Sequence, residues 1–87
     1  MLYGGGGKDL IHGGSGGDSI WGGTGDDTLH GDASDDQLFG EIGSDLLYGG
    51  VGYDQLYGGD GQDTLVSIGG GNNDYNAGQG GLDSFWI

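Results

Sequence analysis

Aspartate returns at intervals of nine along this 87-residue chain, at Asp9, Asp18, Asp27, Asp36, Asp45, Asp54 and Asp63, and again after a break at Asp74 and Asp83. Carboxylates held in phase can exchange protons, pair with bases or hold a cation. Bases are almost absent, since Lys8 is the one lysine or arginine against 14 acidic side chains. Acid–base work by carboxylate pairs has little support either. Asp26-Asp27 and Asp35-Asp36 are adjacent, but the first member of each falls at a variable position. Cation binding is what remains, and oxygen donors suit a hard divalent ion.

The rest of the chain must bring these carboxylates together. Written in nines from Gly4 it reads GGGGKDLIH, GGSGGDSIW, GGTGDDTLH, GDASDDQLF, GEIGSDLLY, GGVGYDQLY and GGDGQDTLV. Ser67 and Ile68 break the phase, which resumes as GGGNNDYNA and GQGGLDSFW before Ile87. Glycine holds the first position and aspartate the sixth in every unit, and the eighth is apolar except at Asn76. Glycine-rich composition also suits a flexible linker, but a linker has no cause to keep an acid and an apolar residue in phase. Positions one to six read as a tight turn, where glycine allows positive φ or close backbone approach. Positions seven to nine, such as Thr28-Leu29-His30, read as a short strand with one inward side chain. So short a strand buries little alone and must stack on its copies.

Composition narrows the partners. With 26 glycines, no cysteine and 32% hydrophobic residues, the chain needs a staple that only a metal or self-association supplies. Its formal charge of −13 makes nucleic acid and anionic lipid poor partners. No apolar run is long enough for a membrane span. Nothing like a cleavable signal peptide precedes the repeats, since Met1-Leu2-Tyr3 leads straight into Gly4.

The nonamer resembles GGxGxDxUx, with U a large apolar residue, the calcium-binding repeat of the RTX (repeats-in-toxin, haemolysin-type) family. The likeness covers residues 4–86. It implies an all-β fold, a right-handed parallel β-roll (a β-helix or solenoid), in which two nonamers make one coil and coils stack at about 4.8 Å. Under that fold Ile11, Leu29, Leu47 and Leu65 form one inward ladder, and Ile20, Leu38 and Leu56 the facing one. Asp9, Asp27, Asp45 and Asp63 line one edge, and Asp18, Asp36 and Asp54 the other. The resemblance further implies Ca²⁺ held between successive turns by the sixth-position aspartates, Asp74 and Asp83 included, and by main-chain carbonyls. Here the carbonyls are those of Gly4, Gly7, Gly13, Gly16, Gly22, Gly25, Gly40, Gly43, Gly49, Gly52, Gly58 and Gly61. Roughly five to seven ions are expected, and seven would bring fourteen positive charges to the formal −13. The family also implies a secreted, extracellular bacterial setting with type I export. In it the repeats help an attached catalytic, toxin or adhesin domain to fold and are not themselves an enzyme.

One domain is expected, possible as a piece of a longer protein. Seven in-register repeats fill 4–66, a two-residue insertion 67–68, and two degenerate repeats cap the C-terminal end at 69–87. Unit four departs most, with Asp32 second and Ser34 fourth. If the fourth position needs positive φ, Ser34 adds strain of about 1 kcal/mol. Sites touching Asp36 should then be weakest, unless Asp32 donates an oxygen. Glu41 in unit five reads as a milder change. Asn76 and the insertion make Asp74 and Asp83 the least secure ligands. The ending DSFWI reads as a cap, with Phe85 and Trp86 over the core. It also loosely resembles the acidic-then-apolar ending of type I exported proteins.

Rival chemistry is thin. His12 and His30 share the ninth position one coil apart, but two ligands make a weak Zn²⁺ or Ni²⁺ site, so they read as exposed strand residues. The serines lack a nucleophile motif, the G-x-G segments lack the third glycine of the dinucleotide fingerprint, and no EF-hand loop is present. Trp21, Phe39 and Tyr57 form an outer row that reads as cross-strand support. The alternative is a strip that binds sugar or a partner. End-to-end self-association through uncapped coils is a third class.

Overall fold

Strands of three to six residues separated by glycine turns become stable only when each finds a copy above and below. The computed structural model describes residues 1–66 and the strands Tyr75–Gly78 and Ser84–Trp86. The strands form two parallel five-stranded sheets. One sheet runs β1 (Leu2–Gly5), β3 (Ser19–Thr24), β5 (Gln37–Ile42), β7 (Gln55–Gly59) and β9 (Tyr75–Gly78). The other runs β2 (Leu10–His12), β4 (Thr28–His30), β6 (Leu46–Tyr48), β8 (Thr64–Val66) and β10 (Ser84–Trp86). The chain alternates between the sheets, and this is a parallel β-solenoid of about 4 turns, a β-roll.

The register stacks like on like. Ile20 pairs with Leu38 and Leu38 with Leu56, while Ile11, Leu29, Leu47 and Leu65 pair in succession on the other sheet. Ile20, Leu29, Leu38, Leu47, Leu56 and Leu65 are fully buried and meet between the sheets, with Leu2 and Ile11 packed partly against them. A column one side chain wide on each sheet is the whole core among the described residues.

Strand β1 begins ahead of the first complete nonamer. Leu2 pairs with Ile20 and Tyr3 with Trp21, so these two residues hold the eighth and ninth positions of a partial unit that a reading from Gly4 leaves out. At the other end Leu56 pairs with Asn76, and Leu65 with Phe85. Ser67, Ile68, Asp74 and Asp83 lie outside the described residues, and with them the expectations placed on those positions.

Positive φ falls at the second and fourth positions of the repeat, as at Gly23 (96°) near the end of β3 and Gly25 (101°) just past it. Ser34 occupies this region at 75°, as expected if the fourth position demands it. Asp32 and Glu41 occupy it too, at 74° and 76°. Glu41 is therefore no milder a departure than Ser34, because the second position makes the same backbone demand as the fourth.

Candidate metal centre

The first-position glycines answer a different need. None has positive φ among the described residues, yet none has room for a side chain. A Cβ on Gly22 would fall 2.6 Å from Asp27 Oδ2 and 2.9 Å from the carbonyl oxygen of Gly40 on the next coil. The sixth-position aspartate thus folds back over the first glycine of its own unit and shares that space with a carbonyl of the coil above.

The same juxtaposition recurs. Asp9 Oδ2 and the Gly22 carbonyl border Gly4, Asp18 Oδ2 and the Gly31 carbonyl border Gly13, Asp36 Oδ2 and the Gly49 carbonyl border Gly31, and Asp45 Oδ2 and the Gly58 carbonyl border Gly40. Gly31 is absent from the carbonyls expected from sequence, because unit four looked irregular at its second and fourth positions. The signal for it was its first-position glycine, which that unit keeps. Of the fourth-position carbonyls, those of Gly7, Gly25 and Gly43 press against Gly25, Gly43 and Gly61 one coil on. Bare peptide oxygens therefore stack along the turns.

Each carboxylate has two unlike oxygens. Asp27 Oδ1 accepts the backbone N–H of Asp9, Asp45 Oδ1 that of Asp27, and Asp63 Oδ1 that of Asp45, all at 2.9 Å. On the opposite edge Asp36 Oδ1 accepts from Asp18 at 2.7 Å and Asp54 Oδ1 from Asp36 at 2.9 Å. These bonds make the two columns. The Oδ2 atoms of Asp9, Asp18, Asp27, Asp36 and Asp45 are buried and have no hydrogen-bond partner. A buried oxygen without a partner costs roughly 1–3 kcal/mol, more when charged.

Burial also moves the protons. It pushes the Asp27 carboxyl up, with the neighbouring Asp9 and Asp26 charges adding to it and the Asp9 backbone N–H opposing. It raises Asp36 to about 6, with Asp18 next among the raising charges, and Asp45 to about 7, with Asp63 and Asp27 adding. Asp27, Asp36, Asp45, Asp54 and Asp63 are all 3% exposed or less. Stacked, dehydrated carboxylates facing peptide carbonyls make a donor set for a hard cation. The residues present fit Ca²⁺, because the orphaned Oδ2 atoms and the facing carbonyls are all oxygen and each pair borders one shared space.

The adjacent acids are structural. Asp26 Oδ1 accepts the N–H of Ser44, and Asp35 Oδ1 that of Tyr53, both 2.8 Å and both from the following coil. Asp27 and Asp36 accept from the preceding coil. Each pair therefore fastens its turn in both directions. Asp32 Oδ2 accepts the N–H of Gly14 at 3.1 Å and lies 3.5 Å from His12 Nδ1.

Aromatic residues stack along both outer faces. Tyr3, Trp21, Phe39 and Tyr57 follow one another with ring centroids 4.8, 5.1 and 5.0 Å apart and nearly parallel planes. His12, His30 and Tyr48 do the same at 4.4 and 4.7 Å. The ring faces are spent on one another, whereas a sugar-binding strip would turn them outward. Burial, then the neighbouring His12, holds the His30 imidazole below the usual histidine value.

A β-solenoid with two columns of buried carboxylates against peptide carbonyls is the architecture of a metal-loaded repeat. The RTX calcium-binding nonapeptide repeat, in four copies, matches residues 1–20, 12–47 and 39–67, and the chain belongs to this family of calcium-binding repeats. It has no match among curated proteins or among solved structures. Among the described residues no helix is long and apolar enough to cross a membrane.

Proposed function

We propose that this repeat module folds by taking up one Ca²⁺ between each pair of successive same-side turns, and that it serves an exported protein. The observation that carries the reading is the set of buried Oδ2 atoms, each facing a first-position carbonyl of the next coil. Asp9 with Gly22, Asp18 with Gly31, Asp27 with Gly40, Asp36 with Gly49 and Asp45 with Gly58 would hold five ions. Up to two more would involve residues beyond Val66. The bound ion supplies the positive charge that lets dehydrated carboxylates remain ionised side by side. The fourth-position carbonyls stacked along the same turns are further candidate donors.

A dissociation constant of about 10⁻⁴ M is typical of extracellular calcium modules. At roughly 1 mM free Ca²⁺ each such site adds about 1.4 kcal/mol. Five to seven sites give ~7–10 kcal/mol, the scale of a whole domain's stability. At sub-micromolar Ca²⁺ the contribution falls near zero. The chain is thus loose inside a cell and ordered outside it, which suits passage through a type I channel followed by folding of an attached domain. RTX repeats are typical of secreted bacterial proteins. The module's role is structural, with no catalysis of its own.

Calorimetric Ca²⁺ titration tests the assignment. Wild-type protein should bind five to seven ions, and the double variant Asp27→Asn, Asp45→Asn should bind at least two fewer with a higher midpoint. Unchanged stoichiometry and midpoint would remove the aspartate columns from the site.

A further inference from the structure

We propose that His12, His30 and Asp32 form a second kind of metal site, for a borderline divalent cation of the Zn²⁺ class, on the outer face of the solenoid. Two histidines alone make a poor site. The fold supplies a third ligand that sequence spacing hides: His12 ends β2, His30 pairs with it at the end of β4, and Asp32 lies one residue past the following glycine.

The donor atoms of the three side chains lie within 4.8 Å of one another. Two ligands at about 2.0–2.1 Å from a tetrahedral Zn²⁺ are about 3.4 Å apart. His12 Nδ1 and Asp32 Oδ2, at 3.5 Å, already span such an edge. His30 joins them by rotating its ring out of the stack with His12, whose centroid separation is 4.4 Å. Asp32 is also anchored through the Gly14 N–H. Imidazole with one carboxylate suits Zn²⁺, whereas the all-oxygen columns suit Ca²⁺. The side chains of His12 and Asp32 are 56% and 39% exposed, so an ion reaches them from solvent and water completes its shell.

Asp32 carries a second indication. It stands at φ 74° where most described units have glycine. Ser34 and Glu41 share this backbone region, but of the three only Asp32 is grouped with the two histidines, which fits a binding role at a strained position.

The test is Zn²⁺ titration of the full chain in excess Ca²⁺, read by competition with a chromophoric chelator and by the histidine ring resonances. One Zn²⁺ per chain is expected, with both histidine resonances shifting together. Asp32→Gly restores the repeat's own backbone residue, so it should resist urea at least as well as wild type while binding Zn²⁺ at least about tenfold more weakly, since losing even an outer-shell partner costs about 10–100-fold. His12→Ala should weaken binding likewise. Absence of Zn²⁺ binding would reduce the cluster to a His12–Asp32 ion pair. Equal affinity in either variant would place the ion elsewhere, on the aspartate columns. Both results overturn the proposal, and neither bears on calcium in the core.

Discussion

Asp45 accepts the backbone N–H of Asp27 through Oδ1 at 2.9 Å, while its buried Oδ2 has no hydrogen-bond partner. One oxygen fastens coil to coil and the other is left for something the chain does not contain. Burial raises Asp45 to about 7 and Asp36 to about 6, and raises Asp27 as well.

The sign of the pH dependence follows. A carboxyl whose folded pKa is raised binds its proton more tightly folded than unfolded, so it favours the fold most below its unfolded value. That contribution is lost as pH rises through the folded value. In chelator, acidification from pH 8 toward 4 should therefore increase strand signal in far-UV circular dichroism, the gain setting in as pH falls below about 7 for Asp45 and about 6 for Asp36 and growing until the ordinary carboxyl value of about 4 is reached. With Ca²⁺ present the same protons compete with the ion, so the calcium midpoint should rise as pH drops from 8 to 6.

First-position glycines should resist substitution for steric reasons. A Cβ on Gly40 would meet Asp45 Oδ2 at 2.5 Å and the Gly58 carbonyl at 2.7 Å. Gly40→Ala should cost about 1–3 kcal/mol and lower the calcium count. At Gly6 the nearest atom is Thr24 Oγ1 at 3.5 Å, so Gly6→Ala should stay within about 0.5 kcal/mol. Urea unfolding of the two variants in saturating Ca²⁺ separates them.

How far the sequence reaches is clearest at these glycines. The eighth-position ladder was legible, because Ile20, Leu29 and Leu38 repeat in phase and strand stacking leaves them one place to go. The two aspartate columns followed from the same period once the family's coil was assumed. The role of the first glycine was not legible, since glycine serves positive φ and close approach alike and only coordinates show which. The Asp32–His12 contact was hidden too. It joins the ninth position of one unit to the second position of a unit in the next coil, and no single nonamer contains both. Leu2 and Tyr3 could have been found by running the period backward past Gly4.

Ser34 and Glu41 hold the left-handed backbone at φ 75° and 76°, and both are exposed. Ser34→Gly and Glu41→Gly should each stabilise the loaded protein by about 1 kcal/mol, as a higher urea midpoint shows. Ser34→Gly should also strengthen calcium binding at the Asp36 turn.

Trp21 stacks on both Tyr3 and Phe39. Trp21→Ala removes two cross-strand aromatic pairs at about 0.2–1 kcal/mol each. Thermal unfolding in Ca²⁺ should move down accordingly, with glycan-array binding unchanged from wild type.

Far-UV circular dichroism of the full chain at neutral pH, first in chelator and then through a Ca²⁺ titration with Mg²⁺ in parallel, tests most directly whether the ion holds the coils together. Little strand signal in chelator, a cooperative rise with Ca²⁺, and no comparable rise at equal Mg²⁺ is the predicted result. A chain equally ordered in chelator would show that six buried aliphatic side chains and the hydrogen-bonded turns suffice without metal, which would contradict the account.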